Sequence, residues 1–239
     1  MRKELLEKVE KEIPEYERKS VHVDGEEQRN WDAIVERGGR QALAMVTKRY
    51  VLVQTREVFR RFLEACPEDV DGTVDYYRGT AVLTVFPAGL GVGASVVNSV
   101  DKNASLQMRF VWRAGGFNVY LPPHVAGVRR IHVGRVSETF GDLADALAKA
   151  NATWQAIVET LSRRKATEED LKVVAKAAGK KCGKAVEEWF AGQERRPDVW
   201  RLVLKAMELV AARRFKSPVR REERMRRLSA VLLAHALGT

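Results

Sequence analysis

Cysteine is nearly absent: Cys66 and Cys182 are the only two in 239 residues. They are too few and too far apart for a disulfide framework or a thiolate metal site. A reducing cytoplasm is therefore the default location, and no cofactor is implied. Long apolar runs are missing too, none approaching the roughly 18–20 residues that a membrane span requires. The opening Met1-Arg-Lys-Glu-Leu-Leu-Glu-Lys is charged and helical in character and lacks the apolar stretch of a signal peptide. These features predict a soluble, cytoplasmic protein that does not engage a membrane.

Ready-made chemistry is equally scarce. The four histidines, His22, His124, His132 and His235, have no i, i+4 partner and no cysteine or carboxylate at ligand spacing. None lies near a nucleophile in sequence, so no general base stands out. His235 falls on an apolar helical stripe and reads as a satisfied, partly buried side chain. Asp75, Asp101 and Asp142 could converge on magnesium, but no Asp/Glu…Glu-x-Lys pattern follows a strand. A metal-dependent nuclease is thus an alternative without a motif. Gly89-Leu-Gly91-Val-Gly93 resembles part of a dinucleotide-binding loop. The β-branched run after it excludes the helix N-terminus that such a loop needs, and a bulged strand connection accounts for it better. Repeats and low-complexity tracts are also missing.

Positive charge is what the chain has in excess. Its net charge is +10 with a pI near 9.7, on a background of 45% hydrophobic residues that suffices for a core. Such a balance favours a polyanionic partner, nucleic acid foremost. A thermophile's charged surface would produce a similar composition.

Polarity alternates most clearly over Ala104–Leu121. Ala104, Leu106, Met108, Phe110, Trp112 and Ala114 fall on one side; Ser105, Gln107, Arg109 and Arg113 fall on the other, with Val111 the apolar intruder. A period of two reads as a half-buried strand. Gly115-Gly116 is a turn dipeptide, and Phe117, Val119 and Leu121 resume the pattern, which predicts a β-hairpin.

The rest of the chain divides by pattern. Residues 2–18 form an amphipathic helix with a narrow stripe of Leu5, Leu6, Val9 and Ile13, which needs the chain's body or another subunit to lie on. A helix over Gln28–Arg37 stops at Gly38-Gly39, so residues 1–40 read as an N-terminal helical arm. Gln41–Gln54 reads as a central strand or a pair. Thr55–Cys66 is a helix with Val58, Phe59, Phe62 and Leu63 inward, ended by Pro67. Thr73–Tyr77 and Thr80–Phe86 form a hairpin around Arg78-Gly79, and Val92–Val100 is the next strand. Residues 41–135 thus make a β-rich core of roughly five to seven strands. Residues 136–239 are helical and pack on that core as one compact unit. Their elements are a long helix from Glu138 to Arg163, one capped by Thr167-Glu-Glu-Asp170, two at about 181–191 and 198–214, and a last one opened by Ser217-Pro218. The fold class is α+β, an antiparallel sheet in the N-terminal half with a C-terminal helical layer.

Cations cluster in two places. Between Arg195 and Arg227 there are twelve Lys/Arg against four acids, and Arg213, Arg214, Lys216, Arg220 and Arg221 gather with Phe215 around a helix–helix turn suited to a phosphate backbone. On the sheet, Lys102, Arg109, Arg113, Arg129 and Arg130, with Arg135, supply a second patch. Trp112 lies on the apolar face and reads as core. Tyr76, Tyr77 and Tyr120 are weaker stacking candidates.

Three short motifs carry a family resemblance. Val97-Asn98-Ser99-Val100-Asp101-Lys102-Asn103-Ala104-Ser105, followed by its strand, is similar to the Asn-Ser-x-Asp-Gly-Ser of phage/plasmid-like proteins, a domain family of unknown function on mobile elements. Arg130-Ile-His132 resembles that family's Arg-His-Thr before a long helix, and Ala-His235 resembles its closing histidine. Lys102 replaces the family's glycine, and Ala114-Gly115-Gly116 replaces its Cys-x-Asn-Gly turn. The resemblance implies a mobile-element origin and a DNA recombination or annealing role, without catalytic residues. The reading is a sequence-independent nucleic-acid-binding protein of a virus or plasmid of a thermophilic host. Single-stranded DNA is the favoured ligand, in a homo-oligomer whose N-terminal helix bridges neighbours. A self-assembling structural protein is the other alternative.

Overall fold

The structure is a computed structural model that describes residues 2–238 apart from 101–105, 123–128, 131–139 and 141. Antiparallel strands fill the N-terminal half and helices the C-terminal half, an α+β arrangement. In chain order the elements are α1 (Arg2–Glu12), β1 (Tyr16–Val23), β2 (Glu26–Glu36), β3 (Ala42–Thr47), α2 (Thr55–Ala65), β4 (Val70–Tyr77), β5 (Thr80–Pro87) and β6 (Val92–Ser99). Then come β7 (Gln107–Ala114), β8 (Phe117–Tyr120), β9 (Arg129–Arg130), α3 (Leu143–Arg163), α4 (Glu168–Ala178), α5 (Lys180–Ala191), α6 (Val199–Ala211) and α7 (Pro218–Leu237). Strands β1-β2-β3 form one sheet. The other has the order β4-β5-β6-β7-β8, with β9 on β7. No helix among the described residues is long and apolar enough to cross a membrane.

The chain divides into two compact units, and the dividing line runs through β6 and β7. Unit 1 comprises Met1–Gly89, Ala94–Met108 and Arg129–Asp145. Its hairpins are closed by Asp24-Gly25 and Arg78-Gly79, each with φ positive at both residues (+52° and +86°; +48° and +80°). This is the turn geometry that matches strand twist. Tyr16, Ile34, Val46 and Val100 form a buried cluster against which Leu43 and Tyr50 pack. Strand β5, hydrogen-bonded on both edges, is buried from Ala81 to Pro87, as a central strand should be. The expected inward set of α2, Val58, Phe59, Phe62 and Leu63, is fully buried.

Two expectations for the N-terminal segment are corrected. Of the expected helix over Gln28–Arg37, residues up to Glu36 belong to strand β2 (Glu26–Glu36) and Arg37 to the turn after it, so the segment 1–40 is helical only over Arg2–Glu12. Trp31, Ile34 and Val35 sit at helical spacing, yet β2 is flanked by both β1 and β3. Its Asp32–Val35 run is buried on both faces, and a short continuous apolar run cannot by periodicity be told from a helix. Between 41 and 54 only Ala42–Thr47 is strand; Lys48-Arg49 then turns the chain, with the Tyr50 N–H donating to the Thr47 carbonyl at 2.9 Å. Helix α1 packs on β4 and α2 with Leu5 and Val9 buried, so its stripe is covered by its own unit.

Unit 2 comprises Leu90–Gly93, Arg109–Val128 and Ala146–Thr239. The β7–β8 hairpin turns at Gly115-Gly116 and pairs Val111 with Tyr120, Trp112 with Val119 and Arg113 with Asn118, as the alternation predicts. Helix α3 begins at Leu143, and the expected residues before it fall partly outside the described set. Thr167 and Asp170 form a reciprocal capping box on α4. Asp198 caps α6, and Ser217, followed by Pro218, caps α7 by accepting from the Arg220 N–H at 3.2 Å.

Candidate functional site

Helices α6 and α7 are joined by a short turn from Ala212 to Ser217, and the basic residues of that turn surround a pocket of about 410 Å³. Arg213 and Arg214 continue the chain beyond the last turn of α6. Lys216 precedes the Ser217 cap, and Arg220 stands on the first turn of α7. All four are exposed, and among the described residues no ion pair or side-chain hydrogen bond engages any of them. Helix α6 ends at Ala211 and Ser217-Pro218 start α7, so the cations of the intervening turn come together at one corner and line the pocket.

Two further arginines line the same pocket in a different state. Arg224 donates to the Ala177 carbonyl at 2.8 Å, near the C-terminus of α4, where cations are favoured by the helix dipole. Arg227 is paired with Glu223, the acid of the pocket. The pocket therefore has two neutralised or fixed cations at its wall and four without an acidic partner among the described residues. Arg221 points elsewhere, donating to the Gly116 carbonyl at 2.7 Å and the Ala211 carbonyl at 3.3 Å. It ties the β-hairpin turn to the end of α6 and lines a second, larger cavity.

That cavity has a volume of about 850 Å³ and is bordered by the hairpin turn Ala114–Phe117 and by faces of α5 and α6. Trp112, Phe117 and Trp189 are its aromatic walls. Behind it, Trp112 packs on Trp154 and Trp200 with ring centroids 5.5 Å apart in each case. Trp112 is thus half-buried, with one side in the core as expected and another lining the cavity. Trp189 escaped the sequence reading because no neighbouring alternation marks it; only its place on α5 brings it to the cavity.

The sheet patch is distributed differently from expectation. Arg109 is half-buried: its face of the hairpin, shared with Val111 and Tyr120, lies under α7, whose Ser229 hydroxyl accepts from the Tyr120 N–H at 3.0 Å. Burial, and then the charge of Arg226, push the Arg109 guanidinium down to about 10. Arg113, on the same strand, is exposed. Arg129 and Arg130 form β9 opposite Met108 and Gln107, described through their backbone, while Lys102 and Arg135 lie outside the described residues. Asn98 and Ser99 of the family-like motif are packing residues: Asn98 donates to the Thr55 hydroxyl at 2.8 Å, and Ser99 accepts from Thr80 at 3.1 Å.

No group of three His, Cys, Asp or Glu that could hold a metal occurs among the described residues, and Asp101 lies outside them. Burial pushes the Cys66 thiol up to about 12 despite Arg2 nearby, so at neutral pH it is not a nucleophile. His235 is satisfied, its Nε2 3.1 Å from Asp170 Oδ1.

No family model matches the chain, and neither a curated protein nor a solved structure is significantly similar to it.

Proposed function

We propose that the protein binds nucleic acid without sequence preference, with single-stranded DNA as the favoured ligand, and that the α6–α7 corner is its principal phosphate contact. The observation that carries this reading is the set of four exposed cations around one pocket that have no acidic partner among the described residues. Cations already neutralised gain little from a phosphate, whereas unpartnered ones release the counterions condensed on a polyanion. The pocket fits phosphates rather than bases, because its polar groups are donors and its one acid is engaged by Arg227. A mobile-element role in annealing or recombination is compatible with such binding and rests on the resemblance of the motifs around Asn98, His132 and His235.

Anisotropy of a labelled oligo(dT) titrated with protein tests the proposal. Affinity is expected to fall steeply between about 50 and 200 mM salt. The variant Arg213→Ala/Arg214→Ala/Lys216→Ala should bind more weakly and reduce the log–log salt slope by about 2, with the melting temperature nearly unchanged because these side chains hold nothing in place. An unaltered slope and affinity in that variant would remove the corner from the binding surface.

A further inference from the structure

The aromatic cavity of unit 2 has no role in a purely electrostatic account, yet it adjoins the basic pocket along the chain. Ala211 and Ala212 line the cavity while Arg213 and Arg214, the next residues, line the pocket. On α7 the same division recurs, Arg220 facing the pocket and Arg221 the cavity. Consecutive residues thus line the two openings at both ends of the corner. The cavity's own charges are occupied: Lys205 pairs with Glu208 at 3.0 Å, Arg201 with Asp198 at 3.9 Å, and Arg221 donates to two carbonyls. What the cavity offers is flat apolar surface from Trp112, Trp189 and Phe117. On its hairpin side Gly116 contributes no side chain, and a Cβ there would meet nothing within 4 Å.

We propose that this cavity takes an unpaired nucleobase of a single strand whose phosphates lie on the Arg213–Arg220 corner. The inference rests on the phosphate-binding reading above and deepens it by naming what selects single strands. The occupant follows from the pairing of the two surfaces: unpartnered cations call for a polyanion, and a neighbouring aromatic slot calls for flat rings on that same polymer. A duplex keeps its bases stacked inside, whereas a single strand presents a π-face that any base can supply. A volume of about 850 Å³ lies in the range of ligand sites, ample for one base. Trp154 and Trp200 fix the Trp112 ring from behind, so little side-chain ordering opposes stacking.

The test compares oligo(dT) with an abasic phosphodiester oligomer of equal length and charge, at a single moderate salt concentration. The wild-type protein is expected to prefer oligo(dT) by about tenfold, the effect of roughly one stacked base. Trp189→Leu should erase most of that preference, Trp189→Phe should keep most of it, and neither should alter the salt slope. Equal binding of the two oligomers by the wild type, a comparison that requires no variant, would overturn the base site while leaving the phosphate corner standing. An undiminished preference in a folded Trp189→Leu protein would also overturn it. Failure to bind either oligomer at low salt would instead bring down the phosphate reading, and this inference with it.

Discussion

Asp170 shows how far a single side chain can be read ahead of the fold. Its capping partner was legible, since Thr167 three residues earlier predicts the reciprocal box. Its other partners were not. Arg164 donates to both carboxylate oxygens at 3.2 Å and to the Ala236 carbonyl at 3.1 Å, and His235 approaches from 65 residues away. Burial works against the charged form of Asp170. The Thr167 N–H and hydroxyl, the Arg164 charge and His235 outweigh it, holding the carboxyl below its ordinary value. A lowered folded value means that the stabilisation is complete above the unfolded pKa of about 3.9 and is lost as pH falls through the folded one. Asp170→Asn should therefore melt earlier at neutral pH, by the equivalent of about 1–3 kcal/mol. Its deficit should shrink below about pH 4, as followed by circular dichroism. A deficit independent of pH would mean that shape, not charge, holds the cluster.

Among the elements, helices were recovered better than the first sheet, and the reason is physical. The C-terminal helices carry caps and stripes that depend on neighbours three and four residues away, so Thr167, Ser217 and Leu147 declare them locally. Strand β2 depends on partners in β1 and β3, which no local period encodes. One local signal did exist: Asp24-Gly25, a hairpin dipeptide between Val23 and Glu26. Contacts between helices were wholly hidden. Gly183 on α5 is buried against α4, and a Cβ there would lie 2.4 Å from the Ala175 carbonyl oxygen. Gly183→Ala should thus force the helices apart and destabilise the protein by about 1–3 kcal/mol, a drop of several degrees in Tm by calorimetry. Gly116→Ala, where the space is open, should leave Tm where it is.

For the whole molecule, the net charge of +10 pointed to a polyanion but not to a place. Of the candidate cations, Arg213, Arg214, Lys216 and Arg220 share one pocket. Arg221 and Arg109 are half-buried, Arg221 by tying backbone together and Arg109 beneath a helix, because a strand's second face is free only when no helix lies on it. The covered stripe of α1 likewise withdraws the feature that suggested a subunit bridge. If oligo(dT) binds only the folded chain, at a hundred times its dissociation constant it should stabilise the protein by about 2.7 kcal/mol. The rise in Tm should be clearly smaller at matched concentration in the Arg213/Arg214/Lys216 triple alanine variant. An equal rise in both proteins would place the ligand elsewhere.

The tryptophan triad has a use beyond packing. Trp154 and Trp200 sit 5.4 Å apart and each stands 5.5 Å from Trp112, close enough for excitation absorbed by one indole to migrate among all three. Since Trp112 also lines the cavity wall, a nucleobase stacked there would dim the emission of the whole trio. The molecule thus carries an intrinsic optical gauge of its occupancy, readable without a label.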